Sequence, residues 1–131
     1  MNHVLAWVAG TLLTGMSPAA AQSSVAPMPA GMRDMPVAGG NGASGKEVIR
    51  KYGCVACHVI GGLPGPYGKV GTSLAAIASR AYIAGSLPNR PQDMVAWLLD
   101  PPRHVPSTAM PNLGLSEVQA KDIAAYLYSL K

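Results

Sequence analysis

Cys54, Val55, Ala56, Cys57 and His58 form the pattern C-x-x-C-H. Two thiols at this spacing, just past a helix end, can each add across one vinyl group of the same porphyrin, which makes the pattern that of c-type haem attachment. His58, beside the second thiol, is then held on one face of the ring, where an imidazole nitrogen can bind iron. The same pair serves other chemistries. A redox dithiol of the thioredoxin type requires a strand-turn-helix setting in a βαβ unit. Half a zinc site requires His58, His104 or a carboxylate to complete it, and the chain has no second C-x-x-C. A plain disulfide suits an oxidising compartment, although closing so short a loop does little for a fold. Of these chemistries, covalent haem attachment accords best with the rest of the chain.

A haem iron held by His58 has a sixth position. Met110 lies in Thr108-Ala109-Met110-Pro111-Asn112-Leu113-Gly114, a loop directly before the last expected helix. A thioether there raises the reduction potential and closes the iron to oxygen and peroxide, so that the site transfers electrons without acting on a substrate. His104 is the rival ligand and would lower the potential. Met94 falls inside a helical pattern beside Val95 and Leu98 and is expected in the core.

The elements that must position these residues are legible as helices and loops. Ser44 followed by Glu47 fits a capping box, and the helix it opens carries Val48, Ile49 and Tyr52 before stopping at Gly53. Gly61, Gly62, Gly65, Gly68 and Gly71, with Pro64 and Pro66, make the next stretch a loop. A short helix is expected within 73–84. Another runs from Pro91, at its first position, to Leu99, with Pro101-Pro102 stopping it. Residues 103–115 are again loop. Ser116 and Gln119 then cap a final helix whose apolar stripe is Val118, Ile123, Tyr126, Leu127 and Leu130. No segment alternates as a strand does. Helices separated by loops this long need something to organise them. The chain has 131 residues with no Phe and only 5% aromatic content, so it has few large side chains with which to fill a core.

Before the folded part, residues 1–21 have the form of a secretory signal. Their apolar core spans Val4 to Met16, and Ala19-Ala20-Ala21 provides a cleavage site after Ala21. The start carries His3 but no Lys or Arg, which leaves an uncleaved anchor as the alternative. The expected address is the periplasm. Residues 22–43 are rich in Pro, Gly, Ala and Met and are expected to be a flexible leader, with 44–131 forming the domain. Met28, Met32 and Met35 invite comparison with Cu(I) sites, but a Met/Pro-rich tether is the simpler reading. The net charge is +4 and the basic residues are scattered, which argues against a nucleic-acid partner.

Taken with the Met110 loop, the motif resembles that of the class I monohaem cytochromes c of bacteria. The likeness runs from Ser44 to Lys131 and follows the order first helix, Cys54-Val55-Ala56-Cys57-His58, Gly-rich loop, middle helix, Met110-Pro111, last helix. It implies an all-α cytochrome c fold, with three to five short helices around one haem c and the first and last helices crossing at Gly45 and Tyr126. Gly71-Thr72-Ser73-Leu74 is similar to the family's Gly-Pro-x-Leu segment, where the Pro carbonyl accepts a hydrogen bond from the ligating imidazole; here Thr72 replaces that Pro. The resemblance also implies that Arg80 and Trp97 contact a haem propionate, with Tyr82 as a further candidate.

The expected function is single-electron transfer, not catalysis, in a periplasmic respiratory or dehydrogenase-linked chain. The expected partners are redox proteins: a respiratory oxidase, a bc1-type complex or a periplasmic dehydrogenase, met as a monomer or within a larger complex. Lys51, Lys69, Arg90 and Arg103 are candidates for a basic rim that steers an acidic partner. A haem enzyme or gas sensor with a displaceable sixth ligand is the alternative.

Overall fold

The structure is a computed structural model that describes residues 36–130. The expected signal, its cleavage site and the leader methionines Met28, Met32 and Met35 lie outside the described residues.

The first helix starts earlier than its sequence implies. α1 spans Gly42–Lys51 and its N-cap is Asn41, whose side chain accepts from the Ser44 amide at 3.0 Å. Asn is as good a cap as Ser, and the Asn41 amide is itself tied to the Asp122 carboxylate at 2.7 Å. Ser44 therefore sits inside the helix and exposed, and its expected capping box with Glu47 is not formed. Val37 is buried in the core, so the part of the expected leader that is described is packed against the domain. Arg50 and Lys51 close the last turn of α1, where positive charge complements the helix dipole.

The middle of the chain departs from all-helix. A 3-10 turn at Ile77–Ser79 stands in for the expected short helix. It leads into a two-residue antiparallel pair, β1 (Tyr82–Ile83) with β2 (Leu87–Pro88), in which Ile83 faces Leu87. α2 spans Pro91–Leu99 with Pro at its start, as the sequence implies. The prolines that end it also open a one-turn helix, α3 (Pro101–His104), since proline is well suited to a first turn. α4 spans Glu117–Ser129, with the reciprocal Ser116–Gln119 capping box in place.

α1 and α4 cross and share the most extensive helix contact in the fold, and α2 also packs against α4. Gly45 is at the crossing, as expected, but it meets the backbone of Asp122 and Ile123, whereas the Tyr126 backbone lies over Gly42. The Tyr126 hydroxyl donates to the Gly61 carbonyl at 2.7 Å and so ties the start of the Gly-rich loop to α4. The core draws on every helix through Ile49, Met94, Trp97, Leu98, Ile123 and Leu127, among others, with Pro101 the buried residue of α3. None of the helices among the described residues is long and apolar enough to cross a membrane.

Candidate functional site

Every helix but α3 contributes to the wall of one cavity of about 350 Å³. Ile49 and Tyr52 come from α1, Met94, Trp97 and Leu98 from α2, and Ile123 and Leu127 from α4. This volume lies within the usual range for small-molecule and cofactor sites, roughly 300–1,000 Å³. Cys54, Cys57, His58, Arg80, Trp97 and Met110 all line it. These residues are spread from position 54 to position 110 of the sequence, and the fold brings them to one space.

Just beyond α1 the chain turns through Cys54–Ala56, and the amides of Cys57 and His58 both donate to the Cys54 carbonyl, at 3.1 and 3.0 Å. This tight turn places both thiols and the imidazole along the cavity. Both cysteines are free. Burial pushes the Cys54 thiol above its ordinary value, with Cys57 adding to the rise. Cys57 is exposed.

His58 is held from two sides. Its Nδ1 lies 2.7 Å from the Thr72 carbonyl oxygen. A carbonyl only accepts, so Nδ1 carries the proton in this bond and the Nε2 lone pair of the neutral ring is left for a ligand. The ring also lies against Gly71: a Cβ there would stand 2.3 Å from Cε1, 2.5 Å from Nδ1 and 2.8 Å from Nε2. Only glycine lets the chain pass this close. The Thr72 carbonyl occupies the acceptor place that the resemblance assigns to a proline carbonyl, and the bond survives the replacement.

Met110 is half-buried, in a loop whose turn is closed by Thr108: the Met110 amide donates to the Thr108 hydroxyl at 3.2 Å. A hydroxyl two residues before a methionine was a readable turn signal. His104 is not among the lining residues, whereas Met94, buried in the core as expected, also reaches the cavity wall. Arg80 is half-buried and donates to the Ser73 carbonyl; among the described residues no carboxylate pairs with it. Trp97 is 7% exposed, so its core role and its place at the cavity hold together. Tyr82 lines the cavity while nearly half exposed. Lys51, Lys69, Arg90 and Arg103 do not line the cavity.

The donor set fits a covalently attached porphyrin. Two free thiols and an imidazole with one committed nitrogen border a largely aliphatic space that also holds thioethers and a half-buried guanidinium. The competing chemistries find less. No cluster of three or more His, Cys, Asp or Glu able to hold a metal occurs among the described residues. The cysteines follow a helix and not a strand, unlike the dithiol of a βαβ unit.

A helical domain that closes on a C-x-x-C-H turn with its imidazole so oriented has the donor set of a haem-binding protein. The model of the cytochrome c family matches residues 42–131, and the chain belongs to that family. Membership implies covalently bound haem c and haem-based electron transfer. The chain is also similar to cytochrome c oxidase subunit 2 of Alkalihalophilus pseudofirmus, with 33% identity over 88 residues. That stretch is 66% of this chain and 25% of the relative, so the match spans about a quarter of the relative's length.

Proposed function

We propose that this chain is a single-electron carrier of the periplasm, using one haem c bound through Cys54 and Cys57 with His58 and Met110 as axial ligands. The observation that carries the reading is the His58 Nδ1 bond to the Thr72 carbonyl, which leaves Nε2 as the free ring nitrogen of a residue lining the cavity. When bound, the haem supplies an iron that takes up and releases one electron. The protein's part is to hold that iron's ligands still in both states. The turn at 54–58 fixes the imidazole, Thr108 fixes the Met110 loop, and the largely aliphatic wall gives the site a surrounding of low polarity, which favours the less charged ferrous state. Arg80, which no carboxylate pairs with among the described residues, is available to pair with a propionate, and the Trp97 indole lines the same space.

Partners are proposed to be redox proteins: a respiratory oxidase, a bc1-type complex or a periplasmic dehydrogenase. Similarity to part of an oxidase subunit supports the first of these. Export rests on the signal-like segment at 1–21.

Mass spectrometry and optical spectra of the full chain, matured in a host that attaches haem, test the reading. The expected result is a polypeptide carrying one haem, with the adduct lost in Cys54→Ala/Cys57→Ala, and a weak sulfur-to-iron band in the oxidised protein that Met110→Ala removes. A bare polypeptide mass overturns haem attachment. A high-spin spectrum that shifts readily with cyanide or carbon monoxide overturns His/Met ligation and favours a haem enzyme or gas sensor.

A further inference from the structure

Residues 71–74 run alongside 57–59 as a strap over His58. The Gly71 amide donates to the Cys57 carbonyl at 2.9 Å and the Leu74 amide to the Val59 carbonyl at 2.8 Å. Between these anchors the Thr72 carbonyl meets the imidazole. Its direction depends on the backbone torsions of Thr72 and Ser73. Threonine does not lock its φ, whereas a proline at that position would fix it near about −65°. The orientation must therefore be imposed from outside the strap.

Arg80 is placed to do so. Its Nη2 donates to the Ser73 carbonyl, the oxygen of the same peptide whose N–H, on Leu74, is bound to Val59. That peptide plane is thus held at both edges, directly beside the Thr72 carbonyl. Arg80 is in turn fixed from behind. The side chain of Asn89, only 3% exposed, donates to the Ile77 and Arg80 carbonyls at 2.7 and 2.8 Å, and accepts from the Tyr128 hydroxyl at 2.7 Å. The Asn89 amide donates to the Ala81 carbonyl at 3.0 Å. A guanidinium has enough donors to hold a backbone carbonyl and still present N–H groups to the cavity it lines.

We infer that Arg80 is a positioning residue for His58: by pinning the Ser73 carbonyl it aims the Thr72 carbonyl at Nδ1 and does the work that a locked φ would otherwise do. This rests on the proposed haem ligation by His58, and it assigns Arg80 a task beyond charge.

The test uses the haem-loaded full chain and follows exchange of the His58 Nδ1 proton with solvent by NMR, with the Ile123 amide in α4 as an internal reference for global opening. Arg80→Met is expected to accelerate exchange of the imidazole proton about fivefold, the weight of a typical net hydrogen-bond contribution, and to leave the reference amide unchanged. Adding Thr72→Pro to Arg80→Met is expected to restore the slow rate, because the ring supplies the missing constraint. An unchanged rate in Arg80→Met overturns the inference. Should Arg80→Met alone fail to retain a native spectrum, recovery of that spectrum by the added Thr72→Pro supports positioning; no recovery of spectrum or rate shows that Arg80 acts through its charge and overturns it. Failure of the parent reading is separable: His58→Ala would then keep the low-spin spectrum of the unmodified protein.

Discussion

The carbonyl oxygen of Asp122 occupies the space that a side chain on residue 45 would need: a Cβ on Gly45 would stand 2.0 Å from that oxygen and 2.4 Å from its carbon. α1 and α4 approach at this point backbone to backbone, and both atoms are backbone, so no rotamer change relieves the overlap. Glycine inside a helix costs up to about 1 kcal/mol relative to alanine, and here that cost is offset by the close crossing.

Gly45→Ala is therefore expected to destabilise the protein although it improves helix propensity. Forced overpacking costs about 1–3 kcal/mol, which for a domain of this size lowers Tm by roughly 5–15 °C. Thermal unfolding of the haem-loaded protein measures it, with Ser44→Ala, next door on the exposed face of α1, as the control. Equal melting temperatures for Gly45→Ala and the control would contradict the crossing.

Legibility in the sequence followed how locally each feature is encoded. The Ser116–Gln119 box, Pro91 at the start of α2 and the C-x-x-C-H turn are each specified within a few residues, and all are where the sequence implies. Asn41 was not legible as a cap, because Ser44 offers an equally good local signal; what favours Asn41 is the Asp122 carboxylate, far along the chain. The Arg80–Ser73 bond was hidden for a similar reason, since a turn and a loop must fold before they meet. The hairpin at 82–88 was invisible because its turn uses the wrong residue. Ala84 and Gly85 both have positive φ, 50° and 71°, as a tight hairpin turn requires, but an alanine in that place carries none of the Asn-Gly signal that marks such turns.

That mismatch has a measurable consequence. Alanine pays a penalty in the left-handed region that asparagine largely escapes. Ala84→Asn is expected to stabilise the protein by up to about 1 kcal/mol, a part of the left-handed penalty of roughly 1–2 kcal/mol. Chemical denaturation gives the value, and a midpoint shifted downward would show that Ala84 is kept for its contact with the cavity it lines.

The Gly71 position predicts a spectroscopic effect separate from attachment. In Gly71→Ala the new methyl group would overlap three atoms of the His58 ring. The imidazole must move, and with it the bond to the Thr72 carbonyl. Haem remains covalently attached, because Cys54 and Cys57 are untouched, so a haem stain after denaturing electrophoresis is expected to be unchanged. The oxidised spectrum is expected to gain high-spin character, and the reduction potential to move away from that of the unmodified protein. A variant indistinguishable from it in both spectrum and potential would mean that His58 does not ligate iron in the orientation seen here.

Tyr128 predicts how stability responds to alkali. Its hydroxyl donates to the buried Asn89 side chain, and burial pushes the phenol well above its ordinary value, with the Asp93 carboxylate adding to the rise. The folded protein thus keeps a proton that the unfolded chain releases. Below the ordinary tyrosine pKa of about 10 both states hold it and stability is unaffected. As pH climbs past that value the unfolded state alone loses the proton, and the folded state loses ground steadily. Tyr128→Phe removes the group that titrates. It is expected to lower stability at neutral pH, by about 1 kcal/mol for the hydrogen bond lost to Asn89, and to flatten the decline above pH 10. Unfolding curves collected across the alkaline range measure both effects; parallel declines in the two proteins would show that the Tyr128 phenol titrates alike in the folded and unfolded chain, and would place it outside the buried network behind Arg80.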